Sequence, residues 1–198
     1  MMYIISICAL ILSYLLGSVP MGLILARAAG KGDLRTVGSG NIGATNVMRV
    51  GGLRLAGLTW MLDMIKAIAA VVLGTWVGGA ALGAWCGFVA IVGHCYPVWL
   101  RFRGGKGISS LFGVLLAISP VSFITCGIMW LIVALSSGFS SLGAVVAFCF
   151  MPVLGFCISA SVGWAFFAIS LLCLWRHREN IRRLINGTES QIQWRWKK

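Results

Sequence analysis

Six apolar runs, at residues 3–26, 55–76, 82–100, 108–137, 142–156 and 159–175, limit what this chain can fold into. A helix needs about 20 apolar residues to cross the hydrocarbon core of a bilayer. Most of the runs are near or above that length. In lipid a spanning backbone must satisfy its own N–H and C=O groups, which these runs do as helices. The chain has 198 residues, 60% of them hydrophobic and 10% charged. A soluble domain of that composition would leave much of its apolar surface in water. The sequence is therefore read as one all-α integral membrane domain, residues 1–198. The first run has no cation before Arg27, unlike a signal peptide, and is read as a retained helix.

Charge is confined almost entirely to the joins. Sixteen Lys and Arg oppose four acids, a formal net charge of +12. The cations cluster at 27–54, 101–106 and 176–198, whereas the joins near 78–81 and 157–161 carry none. Such segregation fits cytoplasmic loops. It equally fits a basic rim that attracts anionic lipid or a phosphorylated substrate. Nucleic acid is not an expected partner. The basic loops at 101–106 and the C-terminus both belong inside, yet three runs separate them. Ser119-Pro120 resolves the parity, because serine suits an N-cap and proline a first helical position. Splitting 108–137 there yields a seven-helix bundle, N-terminus outside and C-terminus cytoplasmic. It also moves residues 136–141 to the cytoplasmic side. The alternative keeps six runs, with a proline kink and one re-entrant segment.

The seven cysteines, Cys8, Cys86, Cys95, Cys126, Cys149, Cys157 and Cys173, form no CxxC pair and lie mostly in apolar runs. They read as small hydrophobes. With only His94 and His177 as histidines, no metal site and no cofactor is expected.

Four polar stretches interrupt the apolar pattern. Residues 37–52, VGSGNIGATNVMRVGG, contain a literal GxGxxG at 38–43. A dinucleotide fold would need a preceding strand, and a Walker loop would need GK[ST]. The glycines still let backbone N–H groups approach an anion. Ser39, Asn41, Thr45 and Asn46 add neutral donors and Arg49 a forked cation. The competing reading is a flexible loop with capping residues. Residues 93–109 carry His94 and the run Gly104-Gly105-Lys106-Gly107, where a glycine-flanked lysine opens a helix as a phosphate site would. Asp63 and Lys66, three apart on one helical face, read as a buried supporting ion pair. In 176–189, His177, Asn180, Ile181 and Leu184 share a face, Glu179 has the spacing to pair with Arg183, and Gly187 is a natural stop. The ending WRWKK looks interfacial.

These stretches, GSGNIGATN with Arg49, LDMIK, GHCYP…FRGGKG and RHRENIRRL…GTE, resemble in the same order the motifs of the bacterial acyl-phosphate:glycerol-3-phosphate acyltransferases (PlsY type). The resemblance spans essentially the whole chain. It implies seven membrane helices in the bacterial inner membrane, with an active site facing the cytoplasm. It also implies acyl transfer from acyl phosphate to the 1-hydroxyl of glycerol-3-phosphate, giving lysophosphatidic acid and phosphate for phospholipid synthesis. By resemblance, Ser39, Gly40, Asn41, Gly43, Ala44, Thr45 and Asn46 form the acyl-phosphate cradle. Arg49, Lys106, His177 and Asn180 hold glycerol-3-phosphate, and Gly104, Gly105, Gly107 and Ser141 complete the binding set. Ser39, Lys106 and Arg49 carry the catalysis, with Asp63, Lys66 and His94 as support. The family is thought to use a substrate phosphate, not a protein base, as proton acceptor. It often has two serines three apart after the fifth helix; here Ser141 is present and position 144 is alanine. No HxxxxD pair follows either histidine, and no GxSxG is present. A transporter for phosphorylated anions is the alternative, and it would call for internal repeats that this sequence lacks.

Overall fold

In the computed structural model, which describes residues 1–192, the described residues form helices and no strand. They divide into two compact units, one ending at Ser119 and the other starting at Pro120.

The first unit begins with α1 (Met2–Ser18) and α2 (Met21–Ala28). The expected single run 3–26 is thus two helices. Pro20 forces the break: it has no N–H, and it holds Val19 in extended backbone at φ −64°, ψ 116°. Next comes α3 (Ala44–Cys95), whose 52 residues would reach about 78 Å if straight, more than twice a bilayer core. It folds back instead. Gly78 and Gly79 leave helical geometry, and Gly79 adopts φ +76°, a region open to glycine at no steric cost. Residues 53–77 and 80–95 then run antiparallel. Gly74 abuts Cys86 and Leu82, and Gly87 abuts Val71 and Val114. A second break, Gly52 at φ +82°, separates residues 44–51 from the first limb. The polar stretch 37–52, expected as a loop throughout, is therefore half helix. Ala44, Thr45, Asn46 and Arg49 lie in the opening turns after the N-cap Gly43.

Small residues set the packing, as is usual between helices in lipid. Gly17 of α1 lies on the Ala90 backbone, and Gly93 lies on Tyr14 and Ser18. Helix α4 (Ile108–Ile118) seats Gly113 against the Met64 backbone. At 11 residues, about 16 Å, it falls short of a full crossing. Its buried face of Ser109, Ser110, Leu111, Val114 and Leu115 shelters it against α3. The break expected at Ser119-Pro120 is present: α4 ends at Ile118 and Ser119 is extended.

The second unit holds α5 (Pro120–Ser137), α6 (Ser140–Ile158), α7 (Ala160–Arg176) and α8 (Arg178–Ile185). Gly143 rests on Trp130, Gly155 on Gly163 and Phe166, and Ser170 Oγ donates to the Phe148 carbonyl at 2.7 Å. Ser159 caps α7 by accepting from the Val162 N–H. Counting the two limbs of α3 separately, α1, α3, α4, α5, α6 and α7 supply seven apolar helices, and α8 bends away from α7 by 59°. All seven cysteines are free thiols. The WRWKK ending lies outside the described residues.

Candidate active-site corners

The loop before α3 has a fixed shape. Gly38 and Gly40 take positive φ, and Asn46 reaches back to pin the turn. Asn46 Oδ1 accepts from the Ser39 N–H at 3.0 Å, while Nδ2 donates to the Leu34 and Val37 carbonyls at 3.1 and 3.0 Å. The side chain is almost fully buried. Both amide hydrogens are thus spent inside the loop. Asn41 Oδ1 accepts from the Gly43 N–H at 2.9 Å, which shapes the turn into the helix. Ile42 and Leu34 anchor the loop by packing with Leu23, Ala26, Val47 and Ala56. Ser39, Gly40 and the opening turn of α3, with Ala44 and Thr45, stand together at a helix N-terminus, where backbone N–H groups and the helix dipole favour an anion. Arg49 lies one turn further along. Upstream, Asp33 is tied to Arg35 at 2.6 Å and to Arg27 at 3.0 Å. The hydrogen bonds from Arg35 hold its carboxyl well below the usual carboxylate range.

The loop bearing Lys106 is seated on His94. The Gly104 and Gly105 N–H groups donate to the Cys95 and His94 carbonyls, each at 3.1 Å. A side chain at Gly104 would strike Pro97 and the His94 carbonyl, and one at Gly105 would strike the His94 ring. Gly107 then takes φ +86° as the N-cap of α4, directly after the half-buried Lys106.

Beneath that loop lies a buried charge cluster. Lys66 Nζ contacts Asp63 Oδ1 at 2.7 Å, the Val19 carbonyl at 2.7 Å and His94 Nδ1 at 3.1 Å. The Val19 carbonyl accepts a hydrogen bond, the His94 ring lies at hydrogen-bond distance, and the Asp63 contact is an ion pair. His94 Nδ1 is also 3.5 Å from Asp63, and Ser110 Oγ donates to the Asp63 carbonyl at 3.2 Å. One cluster thus links the residue that ends α1, both limbs of α3, and α4.

The second unit has a centre that sequence reasoning missed. Glu189 Oε1 accepts from Ser141 Oγ at 2.8 Å and from Asn180 Nδ2 at 2.7 Å, and Oε2 accepts from Arg183 Nε at 2.6 Å. Burial alone would raise its pKa, but the hydrogen bonds from Asn180, Ser141 and Arg183 outweigh that and hold it below its ordinary value. The expected Glu179–Arg183 pair is replaced: Arg183 turns to the sheltered Glu189, while exposed Glu179 lies 4.0 Å from Arg178. Glu189 reaches this position because α8 ends in a Schellman turn. Gly187, at φ +67°, donates to the Leu184 carbonyl and Thr188 to that of Arg183. The chain then returns to the α5–α6 turn, where the Ile192 N–H meets the Gly138 carbonyl at 2.8 Å. The available signal was the acid following Asn186-Gly187-Thr188. His177 sits at the α7–α8 bend, buried. Its Nδ1 donates to the Cys173 carbonyl at 2.8 Å and its ring meets Phe148 edge-on at 5.2 Å. That bond fixes a proton on Nδ1 and orients Nε2. Ala144 is buried in α6.

The fold defines a multi-pass helical membrane protein with glycine-rich, cation-bearing corners at its helix ends. A sequence profile described as Glycerol-3-phosphate acyltransferase matches residues 7–187. The glycerol-3-phosphate acyltransferase of Rhizobium etli is 46% identical over 193 residues, covering 95% of this chain and 92% of that protein. That of Agrobacterium fabrum is 45% identical over 185 residues, covering 93% and 90%. Two crystal structures of PlsY (YgiH), an integral membrane glycerol 3-phosphate acyltransferase, superpose closely. Its glycerol 3-phosphate form gives a TM-score of 0.89 at 34% identity, covering 95% of this chain and 96% of that one. Its lysophosphatidic acid form gives 0.88 at 32%, covering 95% of each. This chain belongs to the glycerol-3-phosphate acyltransferase family, and it is an integral membrane acyltransferase. Family membership replaces the transporter alternative.

Two tests follow from the charge clusters. Lys66→Met strands Asp63 and frees α1 from α3, so it should cost about 3–5 kcal/mol, read as a lower melting temperature in detergent. The double variant Asp63→Leu with Lys66→Met should recover much of that loss. Glu189 has a lowered folded pKa, so its stabilisation is complete above the ordinary value of 4.5 and fades as pH falls through the folded value. Glu189→Gln should therefore melt earlier than wild type at pH 7, and the gap should close on acidification.

Proposed function

We propose that this chain transfers a fatty acyl group from acyl phosphate to the 1-hydroxyl of glycerol-3-phosphate, releasing lysophosphatidic acid and inorganic phosphate. The single observation behind this reading is the close match, over nearly the full length of both chains, to a structure determined in glycerol 3-phosphate and lysophosphatidic acid forms. We assign Ser39, Gly40, Asn41, Gly43, Ala44 and Thr45 to the acyl phosphate, with Asn46 shaping their loop. Arg49 and Lys106 counter the phosphate charges. His177 and Asn180 hold the acceptor, and Gly104, Gly105 and Gly107 let backbone approach it. Ser141 acts through Glu189, and Asp63, Lys66 and His94 support the Lys106 loop.

Acyl phosphate is an activated mixed anhydride, so catalysis is chiefly alignment and charge stabilisation. The acceptor oxygen bonds to the acyl carbon, and the carbon–oxygen bond to phosphate breaks. The proton needs an acceptor, and three of the four side-chain carboxylates are engaged. Asp33 binds two arginines, Asp63 binds Lys66, Glu189 binds three donors, and Glu179 lies exposed beside Arg178. A substrate phosphate oxygen takes it. The clustering of Lys and Arg in the loops supports an active site on the cytoplasmic side of the bacterial inner membrane, with the N-terminus outside.

Purified protein given palmitoyl phosphate and glycerol-3-phosphate should release phosphate, and palmitoyl-CoA should not substitute. No release, or turnover with the thioester, overturns the donor assignment. Ser39→Ala, Arg49→Ala and Lys106→Ala should each cut turnover by about a hundredfold or more while leaving the melting temperature near wild type. In a background where all seven native cysteines are replaced, a cysteine at position 141 should react with impermeant maleimide only after the cells are opened. Labelling of intact cells would invert the orientation.

A further inference from the structure

A cleft of ≈ 500 Å³ lies outside the residues assigned above, lined by Arg35, Trp99, Leu100, Arg101 and Arg103. Its position relative to lipid follows from the chain. The apolar span ends at Leu100, so Trp99 sits at the last apolar level and Arg101 and Arg103 lie just beyond it. Tryptophan concentrates at that depth, between acyl chains and headgroups. Val98, Trp99 and Phe102 are all exposed, and Phe102 lies between the two arginines.

Two of the three lining cations are uncompensated among the described residues. Arg35 spends Nε and one terminal nitrogen on Asp33. Arg101 and Arg103 make no side-chain ion pair or hydrogen bond among the described residues. The turn is also held in costly backbone. Arg101 and Phe102 are the two described non-glycine residues with positive φ, at 52° and 61°. Hydrogen bonds from Arg101, Phe102 and Arg103 N–H groups to the Val98, Pro97 and Leu100 carbonyls keep them there. Paired left-handed residues of this kind persist where the surroundings impose them, often at ligand sites.

We propose that this cleft binds the phosphate headgroup of an acidic phospholipid, with Arg101 and Arg103 on the phosphate and Trp99 and Phe102 beside the upper acyl chain. A guanidinium forks onto phosphate oxygens, and the neighbouring apolar side chains favour a lipid over a free anion. Each cation near an anionic surface adds a modest attraction, and two act together here. The site does not depend on the acyl-transfer reading.

The test measures retention of phosphatidylglycerol by native mass spectrometry, with protein in micelles doped with phosphatidylglycerol or phosphatidylcholine. The variant is Arg101→Asn with Arg103→Gln, asparagine being chosen because it tolerates the left-handed backbone. Wild type should hold one more phosphatidylglycerol than the variant, with apparent affinity about tenfold higher, and the two should hold phosphatidylcholine equally. Arg103→Lys alone should keep most of the binding, and Trp99→Ala should weaken it. Equal retention by wild type and the double variant overturns the proposal. Displacement by millimolar inorganic phosphate or glycerol-3-phosphate also overturns it, by making the cleft a free-phosphate site. Equal melting temperatures in phosphatidylcholine micelles show that the double variant is folded, and a lower one moves the comparison to Arg103→Gln alone.

Discussion

The first unit depends on an ammonium group buried where lipid-facing helices converge. Lys66 Nζ meets three groups, one just past the end of α1, one on its own helix and one on the returning limb of α3. An unpaired charge at such depth is costly, so the three partners are held to one geometry or the unit loosens. His94 passes that constraint outward. Its side chain is fixed by Lys66 from below, and its ring and carbonyl are the floor on which Gly104 and Gly105 rest. The position of Lys106 is thus set by a contact inside the bundle and not by the loop's own preferences.

The second unit uses the opposite sign for the same purpose. Glu189 gathers a hydroxyl from α6 and an amide and a guanidinium from α8, and so ties the chain beyond α8 to the helices it follows. In a chain with four acids and 16 cations, each carboxylate is scarce. Three of the four are spent orienting basic or amide groups. That economy supports the proposed use of a substrate phosphate as the proton acceptor.

Much of this was legible from sequence. Run lengths and the distribution of Lys and Arg fixed the number of helices, and Ser119-Pro120 marked a break that length alone would have hidden. The i,i+3 spacing put Asp63 and Lys66 on one face. What could not be read were partners distant in the chain. Val19 and His94 lie 47 and 28 residues from Lys66, and Glu189 lies 48 from Ser141. Local propensity also misled at 44–51, where glycines and asparagines suggested an open loop. A capping turn there starts a helix, because Gly43 is extended and Gly52 supplies the stop. The Glu179–Arg183 spacing was correct for a helix surface, but a sheltered carboxylate offered Arg183 a stronger partner than an exposed one.

The Asn46 side chain has one further implication. By bonding Leu34, Val37 and Ser39 it settles the shape of residues 34–43 when the protein folds. The conformational entropy of that segment is therefore lost before any ligand arrives. For the proposed acyl phosphate this corner is a preformed mould, and binding there need not first order residues 34–43.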